Sequence, residues 1–352
     1  MCFIAGSREE TYVKHRCIRR RDLGMALAQT LQQGGHQVTV WSALGEEIDA
    51  LSATRRHPNL PGMDISAQMG FTKCLQQVCE GKDILVFAVP SVFVRNTAAA
   101  AVPYIPDGQL IVDVAKGVEA GTLYTMTQVI RSELDKSGGH SQVRLAALSG
   151  PTHAEEVSVG MPSTIVAACE DMEAARQVQA AFDDTCLRVY TNVDVRGVEL
   201  CGALKNVMAL AAGISSGLGY GDNTRAALIT RGMAEIARLG RAMGCLEQTF
   251  YGLSGIGDLI VTATSSHSRN NRAGYLIGQG CSPEQAVEQV GMVVEGLYAL
   301  PAAVQLAEKY QVEMPIVAAV DAVIHQRVSP KQAVLTLMSR ERKTETPSRS
   351  GR

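Results

Sequence analysis

DILVFAVPSVFVRNTAAAAVPYIPDGQLIVDVAKGVE, residues 83–119, sets two continuous apolar runs, 83–89 and 109–115, on either side of a segment with apolar positions at helical spacing. A strand that is apolar along its whole length is buried on both faces, and a helix between two such strands carries the chain back to start a parallel one. The alternation extends outward from there. QVTVW (37–41), RLAALSG (144–150) and STIVAA (163–168) read as further strands, and LGMALAQTLQQGG and TLYTMTQVIRSELDK as further helices. This predicts an α/β domain with a doubly wound, mainly parallel sheet. After about Asn192 the strand signals stop, and nearly every segment up to Leu337 reads as helix. A boundary is therefore expected near 190–196, with an α/β domain over 1–194 and an all-α domain over 195–340. A tail rich in Lys, Arg, Ser and Thr, 341–352, is expected to be disordered.

At 352 residues and 46% hydrophobic, the chain can bury the cores of two domains. A net charge of -2 gives no case for nucleic acid or an anionic membrane surface, so a small soluble ligand is the default partner. The nine cysteines show no close pair at zinc-ligand spacing, and several lie in apolar runs. They read as reduced, buried thiols, and no metal site is expected. No apolar run approaches the ~20 residues that cross a bilayer, and no signal-peptide pattern opens the sequence, so a cytoplasmic location is expected.

Residues 197–232, GVELCGALKNVMALAAGISSGLGYGDNTRAALITRG, place Lys205 among Leu200, Cys201, Leu204, Val207, Met208 and Leu210. Such a lysine either snorkels to water or is held in a polar site, with Asn206 and Asp222-Asn223-Thr224 on offer as partners. Ligands of a doubly wound sheet bind beyond the carboxyl ends of its strands. There the sequence puts Pro90-Ser91, Lys116-Gly117 and Gly150-Pro151-Thr152-His153. Each suits an ordinary capped turn as well as a ligand loop.

The start of the chain departs from the dinucleotide-binding pattern, in which G-x-G-x-x-G follows the first strand. IAGSREETYVKHRCIRRRDLGMALA retains only Gly6-Ser7 and Gly24, parted by Leu23 and a stretch, 8–22, with six basic residues (Arg8, Lys14, Arg16, Arg19, Arg20, Arg21). Cys2 to Ala5 is expected as a short first strand. The stretch reads either as a phosphate-binding lid or, more strongly, as an irregularity of translation or gene model that replaced part of the turn.

From about Gly24 to Met338 the chain resembles the bacterial-type NAD(P)-dependent glycerol-3-phosphate dehydrogenases. The resemblance rests on an ordered set of pieces: GMALAQTL, GHQVTVWS, HPNLPG, FAVPS, VDVAKGVE, LSGPTHAEEV, the whole of 197–232, GLSGIGDL, TSSHSRNNRAG and VVEGL. It implies a Rossmann-like amino domain, a helical carboxyl domain and a cleft between them. It further implies hydride transfer between the nicotinamide and dihydroxyacetone phosphate, supplying glycerol 3-phosphate for phospholipid synthesis. Lys205 takes the part of general acid/base, with Lys116 beside it as a cation that lowers its pKa. The implied substrate contacts are Lys116, Gly150, Thr152, Lys205, Asp258, Ser268, Arg269 and Asn270. The implied cofactor contacts are Ser7, Lys116, Ala154, Arg269, Val293 and Glu295. His153 and His267 flank these motifs without a catalytic assignment. NAD and NADP stay open, because Ser42, Ala43 and Leu44 after the second strand are neither acidic nor basic, while Glu46, Glu47, Arg55 and Arg56 suit either. A homodimer is compatible with this reading. The rival is a non-catalytic or damaged relative whose nucleotide turn is interrupted; a related β-hydroxyacid-type reductase would not call for Ser268-Arg269-Asn270 together with GIGDL.

Overall fold

The computed structural model describes residues 2–3, 14–18, 22–342 and 344–345, the first two segments by their backbone. Its strands are Cys2–Phe3 (β1), Lys14–Ile18 (β2), Gln37–Trp41 (β3), Arg56–His57 (β4), Leu60–Asp64 (β5), Gly70–Thr72 (β6), Ile84–Phe87 (β7), Leu110–Asp113 (β8), Arg144–Ser149 (β9), Ser163–Ala168 (β10) and Leu187–Asn192 (β11). At the centre β3, β2, β7, β8 and β9 run parallel, with Val40, Cys17, Val86, Val112 and Ala146 in register across them. β6 extends the sheet parallel to β3, and β10 turns antiparallel to β9 and carries β11 parallel to itself. The fold is Rossmann-like, as expected. Helices such as Asp22–Gln33 and Met126–Ser137 cover the sheet, and the core between them buries Leu27, Leu31, Phe87, Ile111, Ile130 and Ile165 completely.

Two expectations need correction. The central first strand is Lys14–Ile18, drawn from the stretch read as an interruption, whereas Cys2–Phe3 pairs antiparallel with β3. A central parallel strand must end close to the start of the helix that follows it. Ile18 lies just before Asp22, where that helix begins, and five residues pair where Cys2–Phe3 offers two. The second miss is Leu187–Asn192, whose buried and exposed residues alternate as on a sheet edge and do not form a continuous apolar run. The assignment of Ser7 falls outside the described residues, as does the expected disorder of 343 and 346–352.

Beyond β11 the chain is helical. Asp194 opens Val195–Gly217: its carboxylate accepts from Gly197 N at 2.9 Å and also from Leu246 N and Thr249 Oγ1, both at 2.8 Å. This helix is long and apolar enough to cross a membrane, but it is buried throughout by the protein itself. Its Glu199 reaches back to the sheet domain, accepting from Thr127 N at 2.8 Å and Thr127 Oγ1 at 2.5 Å in the first turn of Met126–Ser137. Burial pushes the Glu199 carboxyl pKa up, and these bonds oppose that rise. The core helix is thereby tied to the strands whose loops it faces.

Against the core helix lies Arg269–Gly278, packed so closely that backbone meets backbone. A Cβ on Gly213 would stand 2.1 Å from Asn271 O, one on Gly217 2.2 Å from Tyr275 O, one on Gly274 2.2 Å from Leu210 O and one on Gly278 2.3 Å from Ile214 O. Glycines four apart on each helix therefore fix both the distance and the register of the pair. The register carries Asn270 to Asn206.

Candidate active site

Lys205 is neither a surface lysine nor a partner of Asp222. It is buried at 6% exposure, whereas Asp222 is exposed and pairs with Arg225 NH1 at 2.7 Å. Lys205 Nζ donates to Asp258 Oδ1 at 2.5 Å and to Thr262 Oγ1 at 2.6 Å. From the carboxyl edge of the sheet, Lys116 Nζ donates to the other oxygen of the same carboxylate, Asp258 Oδ2, at 2.6 Å and to Gly150 O at 3.1 Å. One buried carboxylate thus bridges two buried lysines, one from each domain.

The charges of this trio shift each other. Burial drives the Lys205 pKa down to about 7; Asp258 opposes the fall and Lys116 adds to it. Burial disfavours the ionised form of Asp258, but the two lysines outweigh it and hold the carboxyl below its ordinary value. Burial also lowers the pKa of His153, and Lys205 lowers it further. His153 N-caps the short Ala154–Val157 helix, with its ring 6.0 Å from that of His267.

A second buried chain of bonds runs beside the first. Asn206 Nδ2 donates to Lys116 O and Gly202 O at 3.3 Å and to Glu295 Oε2 at 3.5 Å, and Asn206 Oδ1 accepts from Asn270 Nδ2 at 2.9 Å. Asn270 Oδ1 in turn accepts from Gly296 N at 2.8 Å. Both ends of the Asn270 amide therefore hold protein, so its placement as a substrate contact rests on the one amide proton left over. Ser268 Oγ accepts from Asn271 N at 3.2 Å as the N-cap of Arg269–Gly278, which leaves its hydroxyl proton to donate. Arg269 is half-buried and makes no hydrogen bond or ion pair among the described residues. Thr152 Oγ1 donates to Gly150 O at 3.1 Å. Val293 and Glu295 lie where the chain enters the Glu295–Lys309 helix.

Of the residues singled out from sequence, hydrogen bonds join Lys116, Gly150, Thr152, Lys205, Asp258, Asn270 and Glu295 into one network, through Asn206. Ala154, Ser268, Arg269 and Val293 lie on adjoining segments. Thr262 was missed. It stands four residues after Asp258, on the same face of the Asp258–Thr264 helix, and that spacing was legible once Asp258 had been singled out.

The strand order at the carboxyl edge of the sheet suits a dinucleotide. β2 has the next strand in sequence, β3, on one side and β7 on the other, which is the point where such ligands lie in an open α/β sheet. The loops there are closely packed: a Cβ on Gly117 would stand 2.3 Å from Ser91 Cβ. A cavity of about 740 Å³ lies elsewhere, between Ala211, Leu228, Ile316 and Leu337, and is lined by none of these residues.

Comparison with known proteins shows the family and the fold. Sequence models described as "NAD-dependent glycerol-3-phosphate dehydrogenase N-terminus" and "C-terminus" match residues 22–175 and 194–335. The chain is 62% identical over 322 residues to "Glycerol-3-phosphate dehydrogenase [NAD(P)+] 2" of Lactobacillus delbrueckii subsp. bulgaricus, covering 92% of this chain and 96% of that one. It is 48% identical over 326 residues to the enzyme of Agathobacter rectalis, covering 92% and 95%. The crystal structure of glycerol-3-phosphate dehydrogenase from Coxiella burnetii superposes with a TM-score of 0.86 at 34% identity, over 94% of this chain and 99% of that one.

Proposed function

The chain belongs to the NAD-dependent glycerol-3-phosphate dehydrogenase family, and from that premise we propose how its own residues carry the reaction. It is an oxidoreductase that uses NAD or NADP, interconverting dihydroxyacetone phosphate and glycerol 3-phosphate. The observation that carries the residue assignment is the Lys205–Asp258–Lys116 bridge.

When bound, the nicotinamide supplies the hydride to the carbonyl carbon. As that carbon is reduced, the carbonyl π pair moves onto oxygen, and the Lys205 ammonium gives that oxygen its proton. In the reverse direction the neutral amine takes the proton back. With a pKa near 7, Lys205 has both forms available at neutral pH, which a lysine at its free value of ~10.4 would not. Asp258 aims the lysine, and Thr262 accepts a second of its protons. Lys116 and Lys205 set two cationic groups beside the developing alkoxide, countered by Asp258 between them and by Glu295 farther off. Arg269, free to form a two-pronged contact, binds the substrate phosphate with the Ser268 hydroxyl beside it, and this remote contact helps place the reacting carbon. Asn270 acts mainly as a latch between the two helices.

The rival reading, a damaged relative, is not favoured, because relatives 62% and 48% identical over 92% of this chain carry the name of the dehydrogenase. The direct test is oxidation of NADH and of NADPH by the purified chain with dihydroxyacetone phosphate; a folded sample inert with both would overturn the active-enzyme reading. Supply of glycerol 3-phosphate to phospholipid synthesis and a cytoplasmic location fit this activity.

Arg269→Ala is expected to raise KM for dihydroxyacetone phosphate by about 10- to 100-fold, the worth of a charge-assisted hydrogen-bond pair. Turnover of unphosphorylated dihydroxyacetone should be unchanged. An unaltered KM, or an equal loss with both substrates, would remove Arg269 from the phosphate site.

A further inference from the structure

The geometry points to Glu47 as the residue that makes this enzyme prefer NAD(H) to NADP(H), an inference that rests on the dehydrogenase reading above. Sequence alone left the choice open, because the three residues after β3 carry no charge. The fold brings a carboxylate back to that place. Ser42, buried at 4% exposure directly after β3, donates from Oγ to Glu47 Oε2 at 2.6 Å, and Leu44 N donates to Ser42 Oγ at 3.2 Å. Glu47 sits in the first turn of Gly45–Thr54 and is fixed against the carboxyl end of the second strand of the Rossmann-like unit. A carboxylate there accepts from the ribose 2'-hydroxyl and repels a 2'-phosphate.

The cations nearby are committed elsewhere. Arg55 NH1 donates to Ser66 O at 3.2 Å and Met69 O at 2.8 Å, and its guanidinium stacks 5.1 Å from the Phe71 ring centroid. Lys73 lies along Gly45, but its Nζ is paired with Asp49 Oδ2 at 2.6 Å. Arg56 stands in the β4–β5 hairpin, in register with Asp64. Glu46, Glu47 and Asp49 stand together on the opening turns of one helix, and the groups of Arg55 and Lys73 that could meet a dianionic 2'-phosphate are already held by Ser66, Met69 and Asp49.

Trp41, the only tryptophan in the chain, immediately precedes Ser42 and reports binding at this spot. Its fluorescence, with calorimetry alongside, is titrated with NAD+ and with NADP+ in the wild type and in Glu47→Gln, which keeps an oxygen for Ser42 and loses the charge. The wild type is expected to bind NAD+ at least ~10-fold more tightly than NADP+, and Glu47→Gln to narrow that ratio by about 10-fold, mainly through tighter NADP+. A purely structural Glu47 would weaken both dinucleotides alike and leave the ratio unmoved, and that result overturns the assignment. Equal affinities in the wild type also overturn it while the dehydrogenase reading stands; binding of neither dinucleotide overturns both.

Discussion

Replacing Lys205 by methionine is expected to lower kcat for dihydroxyacetone phosphate reduction by about 10²- to 10⁴-fold, the range a positioned general acid supplies. The fold should survive. Methionine keeps most of the buried stem, and Asp258 retains its bond to Lys116, so no buried charge is orphaned. Circular dichroism and the thermal midpoint check that half. The pH profile checks the chemistry. The pKa of Lys205 lies near 7, so reduction, which needs the ammonium, should fall as pH rises through about 7. Oxidation, which needs the amine, should rise over the same interval. Both limbs should vanish in Lys205→Met. A variant within tenfold of wild type, or one that keeps the limbs, would move the proton transfer to another group, such as His153, whose pKa Lys205 lowers.

What sequence alone could reach follows from where the determining contacts lie. Continuous apolar runs such as 83–89 and 109–115 announce their own burial, so the central strands and the parallel class were legible. Leu187–Asn192 was not, because an edge strand shows alternation over only a few residues and borrows the rest of its definition from β10. The choice of Lys14–Ile18 over Cys2–Phe3 depends on having partners on both sides, which no local pattern reveals. Lys205 was conspicuous as a charge in an apolar helix; its neighbours in sequence offered Asp222 as a partner, whereas the structure sets Asp258, already an implied site residue, against it. The difference is one of facing: two helices were adjacent in sequence, and a third was adjacent in space. Asn270 looks like a substrate amide until the packing of its helix shows both ends of that amide already engaged. Glu47 is one of four charged candidates for the ribose until the turn after β3 folds it back on Ser42.

Gly274→Val is expected to damage both stability and activity. Even the first added carbon would stand 2.2 Å from Leu210 O and 2.9 Å from Ile214 N, atoms of another helix backbone that has no rotamer to escape into. The helices must separate, and overpacking of this kind costs about 1–3 kcal/mol or more. For a helical domain of this size, that lowers the thermal midpoint by roughly 2–4 °C per kcal/mol. Gly274→Ala should show the same effect at smaller size, which keeps the test readable if the valine variant does not fold. Gly221→Ala is the control: it has negative φ and nothing within 4 Å of the added carbon, so it should shift the midpoint little. Activity should fall further than stability does. Asn270 sits one turn before Gly274 and latches Asn206, the neighbour of Lys205, so separating the helices pulls at the register of the acid/base itself. A misplacement of ~1 Å at such a point costs on the order of 10²-fold in rate. If Gly274→Ala matches Gly221→Ala in both midpoint and kcat, the close approach of the two helices does not hold the site, and the register must be set by the Glu199 and Asp258 contacts alone.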